Sequence, residues 1–204
     1  AHLLNEFYSD AHTWDDIDWV DVAAGAPRLD IDAVLEAGGW IDGIVTDGGI
    51  PLAGIQVDVL DPTTGDYVGS GHTGSDGTYS TSALAQGEYL VRFDPWEQND
   101  VNGTGFIFEY YDNTRDQASA SPVSVAVGNG TSGIDADLEV GGSLSGVVTD
   151  EFDMPLWGVT VTAYDADGQY AGETWGDPDF GEWTIKALVP GDYTLEFNPW
   201  MKNL

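Results

Sequence analysis

The chain contains no cysteine, which excludes disulfides, thiolate metal sites and a cysteine nucleophile. It is nearly as poor in basic residues. Five Lys plus Arg stand against 36 Asp plus Glu, for a formal net charge of −31. Nucleic acid is excluded as a partner, because phosphate contacts need Lys and Arg. Electrostatic docking to an anionic membrane fails for the same reason. No run of 18 apolar residues occurs, so no membrane insertion through a helix is expected. No leader segment and no initiator Met are seen, which reads as a processed product or a piece of something longer.

What is there is enough to fold. The 204 residues make one or two domains, and 42% of them are hydrophobic, far above a disordered acidic tail. An acidic, lysine-poor surface resists aggregation and suits a high-salt or extracellular setting.

Internal repeats organise the chain. Residues 38–47 read GGWIDGIVTD and residues 141–150 read GGSLSGVVTD, at an offset of 103. PLAGIQVDV (51–59) matches PLWGVTVTA (155–163), and GTYSTSALAQGEYLVRFDPW (77–96) matches GEWTIKALVPGDYTLEFNPW (181–200), at an offset of 104. Upstream, Ile31-Asp32-Ala33 with Leu35-Glu36 matches Ile134-Asp135-Ala136 with Leu138-Glu139. Residues 38–140 are therefore one complete unit of about 103 residues. Residues 141–204 are the front of a further unit, lacking its last strands. Residues 1–37 are the C-terminal strands of a preceding or partner repeat.

Apolar residues alternate with small or polar ones at a period of two, which predicts strands. In the complete unit these fall near 40–46, 54–60, 67–72, 78–83, 87–93, 105–111, 122–127 and 133–139. Ile55, Val57 and Val59 share one inward face; Tyr89, Val91 and Phe93 share another. Asp76-Gly77 and Thr64-Gly65-Asp66 supply the turns. No segment shows an amphipathic helix pattern. The expected class is all-β, tandem Greek-key β-sandwiches of about seven strands. By the repeat, strands are also expected near 2–8, 18–23 and 29–35.

The order GGxIxGxVTD, PLxGVxV, DGxYxxxxLxxGxYxVxF, EYYDN and PVxVxxGxxxxxIDAxLxxGG resembles tandem extracellular domains of the carboxypeptidase-regulatory-like class. It is also similar to the B-type repeats of Gram-positive collagen adhesins. The resemblance covers essentially the whole chain and implies a prealbumin-like or Ig-like sandwich on a cell surface. Many such adhesin repeats carry a Lys–Asn or Lys–Asp isopeptide bond. Here the only lysines are Lys186 and Lys202, and unit 38–140 has none, so it cannot form that crosslink.

Catalysis is not expected. His2, His12 and His72 have no repeated counterparts, and no carboxylate pair stands among distinctive aromatic and basic residues. Asp165-Ala166-Asp167-Gly168 has the opening spacing of an oxygen-ligand loop, so Asp165 and Asp167 are Ca²⁺ candidates; the bland reading is a capped turn. Two sequons, at Asn102 and Asn129, lie in expected loops and are glycosylation candidates. Trp96 and Trp200 recur in matching Asp-Pro-Trp and Asn-Pro-Trp segments, which suits core or interdomain packing; a sugar platform is the alternative. Trp40 and Trp157 lack counterparts and are candidates for contacts between units.

These readings converge on a non-enzymatic, extracellular structural repeat protein, part of a stalk, adhesin or filament. Its partners would be further copies of itself, or its own continuation in a longer repeat chain. The strands held in 1–37 would complete the 141–204 unit of a neighbour. A carbohydrate- or host-protein-binding module is the alternative.

Overall fold

A computed structural model describes residues 2–11, 14–177 and 180–199. The chain is all-β and forms two compact units: residues 1–94 with 109–137, and residues 95–108 with 138–204.

The first unit is a β-sandwich. Its strands are β1 (Trp40–Asp47), β2 (Ile50–Pro51), β3 (Gln56–Leu60), β4 (Tyr67–His72), β5 (Thr78–Ser80), β6 (Gly87–Asp94), β7 (Glu109–Tyr110), β8 (Val123–Val125), β9 (Gly130–Ser132) and β10 (Ala136–Asp137). One sheet is built on β1. Antiparallel β2 and β5 share one of its edges, and parallel β9 and β10 share the other. The second sheet runs β4-β3-β6, with β7 and β8 both on the far edge of β6. Ile41 and Val45 of the first sheet and Val57, Val59, Val91 and Phe93 of the second are fully buried. Tyr79 and Phe93 meet edge-on across the sheets, ring centres 6.0 Å apart. This is the inward alternation that the period of two predicts.

Aspartates make the turns. The Asp61 carboxylate accepts from the Thr63 and Thr64 N–H groups at 2.7 and 3.0 Å, and that of Asp76 from the Thr78 N–H and hydroxyl. Two carboxylates of the second sheet are buried, Asp58 on β3 and Glu109 on β7. Asp58 on β3 faces Arg92 on β6, whose Nη2 donates to it at 2.7 Å and lies 3.2 Å from Asp94. Burial draws the Arg92 guanidinium down. The bond to Asp58 and the Asp94 charge more than offset this, and its pKa is raised.

The second unit opens with a helix the sequence pattern did not predict, α1 (Trp96–Asn102). Seven residues are too few to display a 3.6 period. Its signals are terminal: Pro95 before it, and Gly103 after it in the left-handed region, donating to the Asn99 carbonyl. The expected strand 105–111 is accordingly reduced to β7. The remaining strands are β11 (Gly142–Val147), β12 (Val159–Tyr164), β13 (Tyr170–Trp175), β14 (Glu182–Leu188) and β15 (Thr194–Pro199). They form a two-stranded sheet, β11-β14, and a three-stranded one, β13-β12-β15. Val161, Ala163, Trp183, Ile185 and Leu188 make the core, flanked by Leu144, Val148 and Leu195.

The expected strands in 1–37 do not form. The described residues there hold a 3-10 turn, Trp14–Asp16, and isolated bridges. A strand needs a partner edge, and among the described residues here the two ends of the segment pair with each other. Leu4 N–H donates to the Glu36 carbonyl and Gly38 N–H to that of His2.

Candidate functional site

The two copies differ in how each sandwich is closed. In the first unit β9 and β10 complete the sheet along β1. The Trp40 N–H donates to the Asn129 carbonyl, and the Ile134 N–H to that of Asp42, both at 3.2 Å. Between β9 and β10 the backbone kinks at Gly133, φ +80°. The Asp135 carboxylate covers the gap, accepting from the Ile44 N–H at 2.8 Å. The Ile134 carbonyl turns inward and accepts from the buried Tyr79 hydroxyl at 2.7 Å. Burial, then the charges of Asp135 and Asp42, hold that hydroxyl far above the usual tyrosine range, so it is always a donor. Gly43 makes this approach possible. A Cβ there would overlap the Ile134 carbonyl. Farther along, Asp137 accepts from the Thr46 hydroxyl at 2.6 Å and the Gly49 N–H at 3.4 Å. These bonds hold its pKa below the ordinary aspartate range.

The second unit repeats the first half of this construction. Val148 N–H donates to Gly181 and Leu156 N–H to Val148, as Val45 does to Gly77 and Leu52 to Val45 in the first. Among the described residues, β11 pairs only with β14, and β15 only with β12. Their outer edges correspond to those that β7 to β10 cover in the first unit. Two consequences are visible. Phe93 is 0% exposed, whereas its counterpart Phe197 is 46% exposed. Trp183 stands where Tyr79 does, 7% exposed, and its buried Nε1–H has no hydrogen-bond partner. An unsatisfied buried donor costs about 1–3 kcal/mol. The indole lies over Gly146, the counterpart of Gly43: a Cβ on Gly146 would meet the ring at 3.0–3.1 Å. Trp183 and Gly146 were not singled out by sequence reasoning, although the match of Gly-Thr-Tyr-Ser to Gly-Glu-Trp-Thr aligns Trp183 with Tyr79.

The described residues of the segment 2–37 lie with the first unit and share local features with their counterparts. Leu4 to Glu36 and Gly38 to His2 repeat at an offset of 103 as Ile107 to Glu139 and Gly141 to Gly105. Phe7 to Ala11 repeats as Tyr110 to Thr114. Positive φ recurs at Ser9-Asp10 and Asp112-Asn113, at Gly25 and Gly128, and at Asp30 and Gly133.

The other candidate residues are scattered. Asp165 accepts from the Asp167 and Gln169 N–H groups at 3.0 and 2.8 Å, the turn pattern that Asp150 makes with Phe152 and Met154. No group of three or more metal-ligating acids or histidines occurs among the described residues. Asn102 ends α1, while Asn129 is exposed in the turn before β9. Trp40 stacks on His2, ring centres 4.2 Å apart, and donates to Asp42 at 2.6 Å, tying the N-terminal segment to β1. Trp96 begins α1 and is 57% exposed, so it is not a core residue. Trp157 is exposed before β12, and Trp200 lies outside the described residues. Lys186 donates to the Gly103 carbonyl at 3.1 Å.

No protein-family profile matches the chain. It is 29% identical over 172 residues to serine-aspartate repeat-containing protein F of Staphylococcus epidermidis, covering 76% of this chain and 9% of that protein. The same protein of a second strain is 28% identical over 172 residues, covering 76% of this chain and 10% of the relative. The chain thus spans about a tenth of the length of these curated relatives. Among solved structures, a streptococcal ancillary pilin gives a TM-score of 0.38 at 14% identity, covering 79% of this chain and 54% of the other. The Bacillus anthracis TIE protein gives 0.35 at 19%, covering 78% and 28%. The tip fimbrial protein Mfa3 from Porphyromonas gingivalis gives 0.27 at 13%, covering 79% and 68%. At such scores the structural likenesses decide nothing about function.

Proposed function

We propose that this chain is a non-enzymatic structural repeat protein of the cell surface, a segment or subunit of a stalk, adhesin or filament. The observation that carries the reading is the repeat itself: one strand plan used twice, with β9 and β10 lining β1 in the first copy and, among the described residues, no strand lining the matching edge of β11 in the second. The segment matching β7 to β10 by sequence is residues 1–37. Strand addition from residues 1–37 of a neighbour onto the 141–204 unit would join copies head to tail. A heterologous contact of that kind propagates into a fibre. The resemblance to carboxypeptidase-regulatory-like and collagen-adhesin B-type domains supports an extracellular setting, as does the acidic surface. The deciding experiment is electron microscopy of native material together with the intact mass of the denatured chain. Fibres built from a chain near 21.8 kDa support the reading. A much heavier denatured chain would make residues 1–204 a window on a continuous repeat array and remove the need for donation. Intact mass also reads any glycan at Asn102 or Asn129.

A second reading has its own observation. Trp19, Trp96, Trp157 and Trp175 are exposed, which favours carbohydrate or protein binding. Tryptophan fluorescence unchanged by an oligosaccharide panel would count against the carbohydrate form.

A further inference from the structure

We infer the register of that assembly: the Ile31 carbonyl of one copy occupies the slot over Gly146 of the next and accepts the Trp183 indole N–H. The inference rests on the strand-addition reading and specifies its site. The template is the first unit. There the inward carbonyl of Ile134 sits over Gly43 and accepts from Tyr79. Ile31 is the counterpart of Ile134, Gly146 of Gly43 and Trp183 of Tyr79.

Three observations agree with it. Trp183 is more than nine-tenths buried, and its Nε1–H is unpartnered beside Gly146. Glycine at 146 leaves the backbone open at that point, and the nearest neighbour of a Cβ there would be the Trp183 ring, at 3.0–3.1 Å. The donor segment is exposed and already bent. Ile31 is 40% exposed against 6% for Ile134, and Asp30 holds φ +59° where Gly133 holds +80°. Asp is among the few residues that visit the left-handed region, so the segment keeps the bend that this register uses. In this register Asp32 takes the place of Asp135, and its carboxylate receives the Val147 N–H as Asp135 receives that of Ile44. The exposed Phe197 is covered by the same incoming strands, as Phe93 is in the first unit.

The test is sedimentation of the full 204-residue chain over a concentration series, with two variants. Ile31→Asp spoils the donor on an exposed segment, where folding does not depend on it. Gly146→Ala blocks the acceptor and asks of its own unit only a few tenths of an ångström from the Trp183 ring. Wild type is expected to form chains of copies. Each variant alone should associate at least tenfold more weakly. Their equimolar mixture should stop at dimers, because one good donor meets one good acceptor. Oligomers undiminished in both variants would overturn this register and leave strand addition standing. A wild-type chain monomeric at every concentration would overturn both.

Discussion

At the scale of residues, the two copies form a natural experiment at one position. Gly43 and Gly146 occupy equivalent places, but a Cβ collides with a backbone carbonyl only at the first. Gly43→Ala is therefore expected to lower stability by about 3 kcal/mol, since β10 must move or lose the Tyr79 bond. Gly146→Ala should cost the isolated chain under about 1 kcal/mol. Urea melts of the two variants check this, and equal losses would argue against it. Arg92 offers a second test. Arg92→Met leaves the Asp58 carboxylate buried without its cation. The expected loss is about 2–3 kcal/mol, less than for a fully buried pair, because the Arg92 side chain is a third exposed. The second copy has Thr162 and Glu196 at these places, so the pair is a local solution and no requirement of the plan. Asp137 is a third. Its pKa is lowered by the Thr46 hydroxyl, so the stability it contributes is present above the ordinary carboxylate range and lost as pH falls through its folded value. Thr46→Val should raise its titration midpoint toward the ordinary aspartate value, read by NMR.

At the scale of elements, strands were legible where they had a partner. In 38–140 the alternation of Ile55, Val57 and Val59 placed β3, and that of Val91 and Phe93 placed β6. The same alternation in 18–23 and 29–35 yielded no strand, because hydrogen bonding to a neighbouring edge is a property of the pair and not of the segment. What does persist there is the turn chemistry, which is local: Asp30 and Gly25 keep positive φ without any sheet. Helix α1 was missed because seven residues carry only terminal signals. The unequal edges lead to a measurable difference. Backbone amides facing outward from β11 and β15 are expected to exchange with solvent much faster than their counterparts on β1 and β6 in the monomer, and to slow on assembly. Hydrogen–deuterium exchange at low and high protein concentration reads both. Equal protection of the two sets in the monomer would mean that the edges are already covered.

At the scale of the whole molecule, charge dominates. A net charge of −31 on 204 residues opposes compaction and also the approach of a second copy. Added sodium chloride is expected to raise the melting temperature and strengthen association together. Screening shortens from about 10 Å at 0.1 M to about 3 Å at 1 M. A melting point insensitive to monovalent salt would remove self-repulsion from the account. Asp165 is already engaged by two backbone N–H groups, so a chelator is expected to leave the midpoint unchanged. A fall of several degrees would place Ca²⁺ in the fold.

The sequence by itself determined the all-β class, most strands of residues 38–140 and the internal repeat at an offset of 103 to 104. All of these rest on local periodicity and on identity between copies. Only the tertiary structure decided which glycine admits a carbonyl, that Tyr79 is satisfied while Trp183 is not, and that Phe93 is covered while Phe197 is bare. Those outcomes depend on which backbone reaches a given point in space. Two copies with nearly the same sequence pattern differ there because β9 and β10 line β1, whereas among the described residues no strand lines the matching edge of β11.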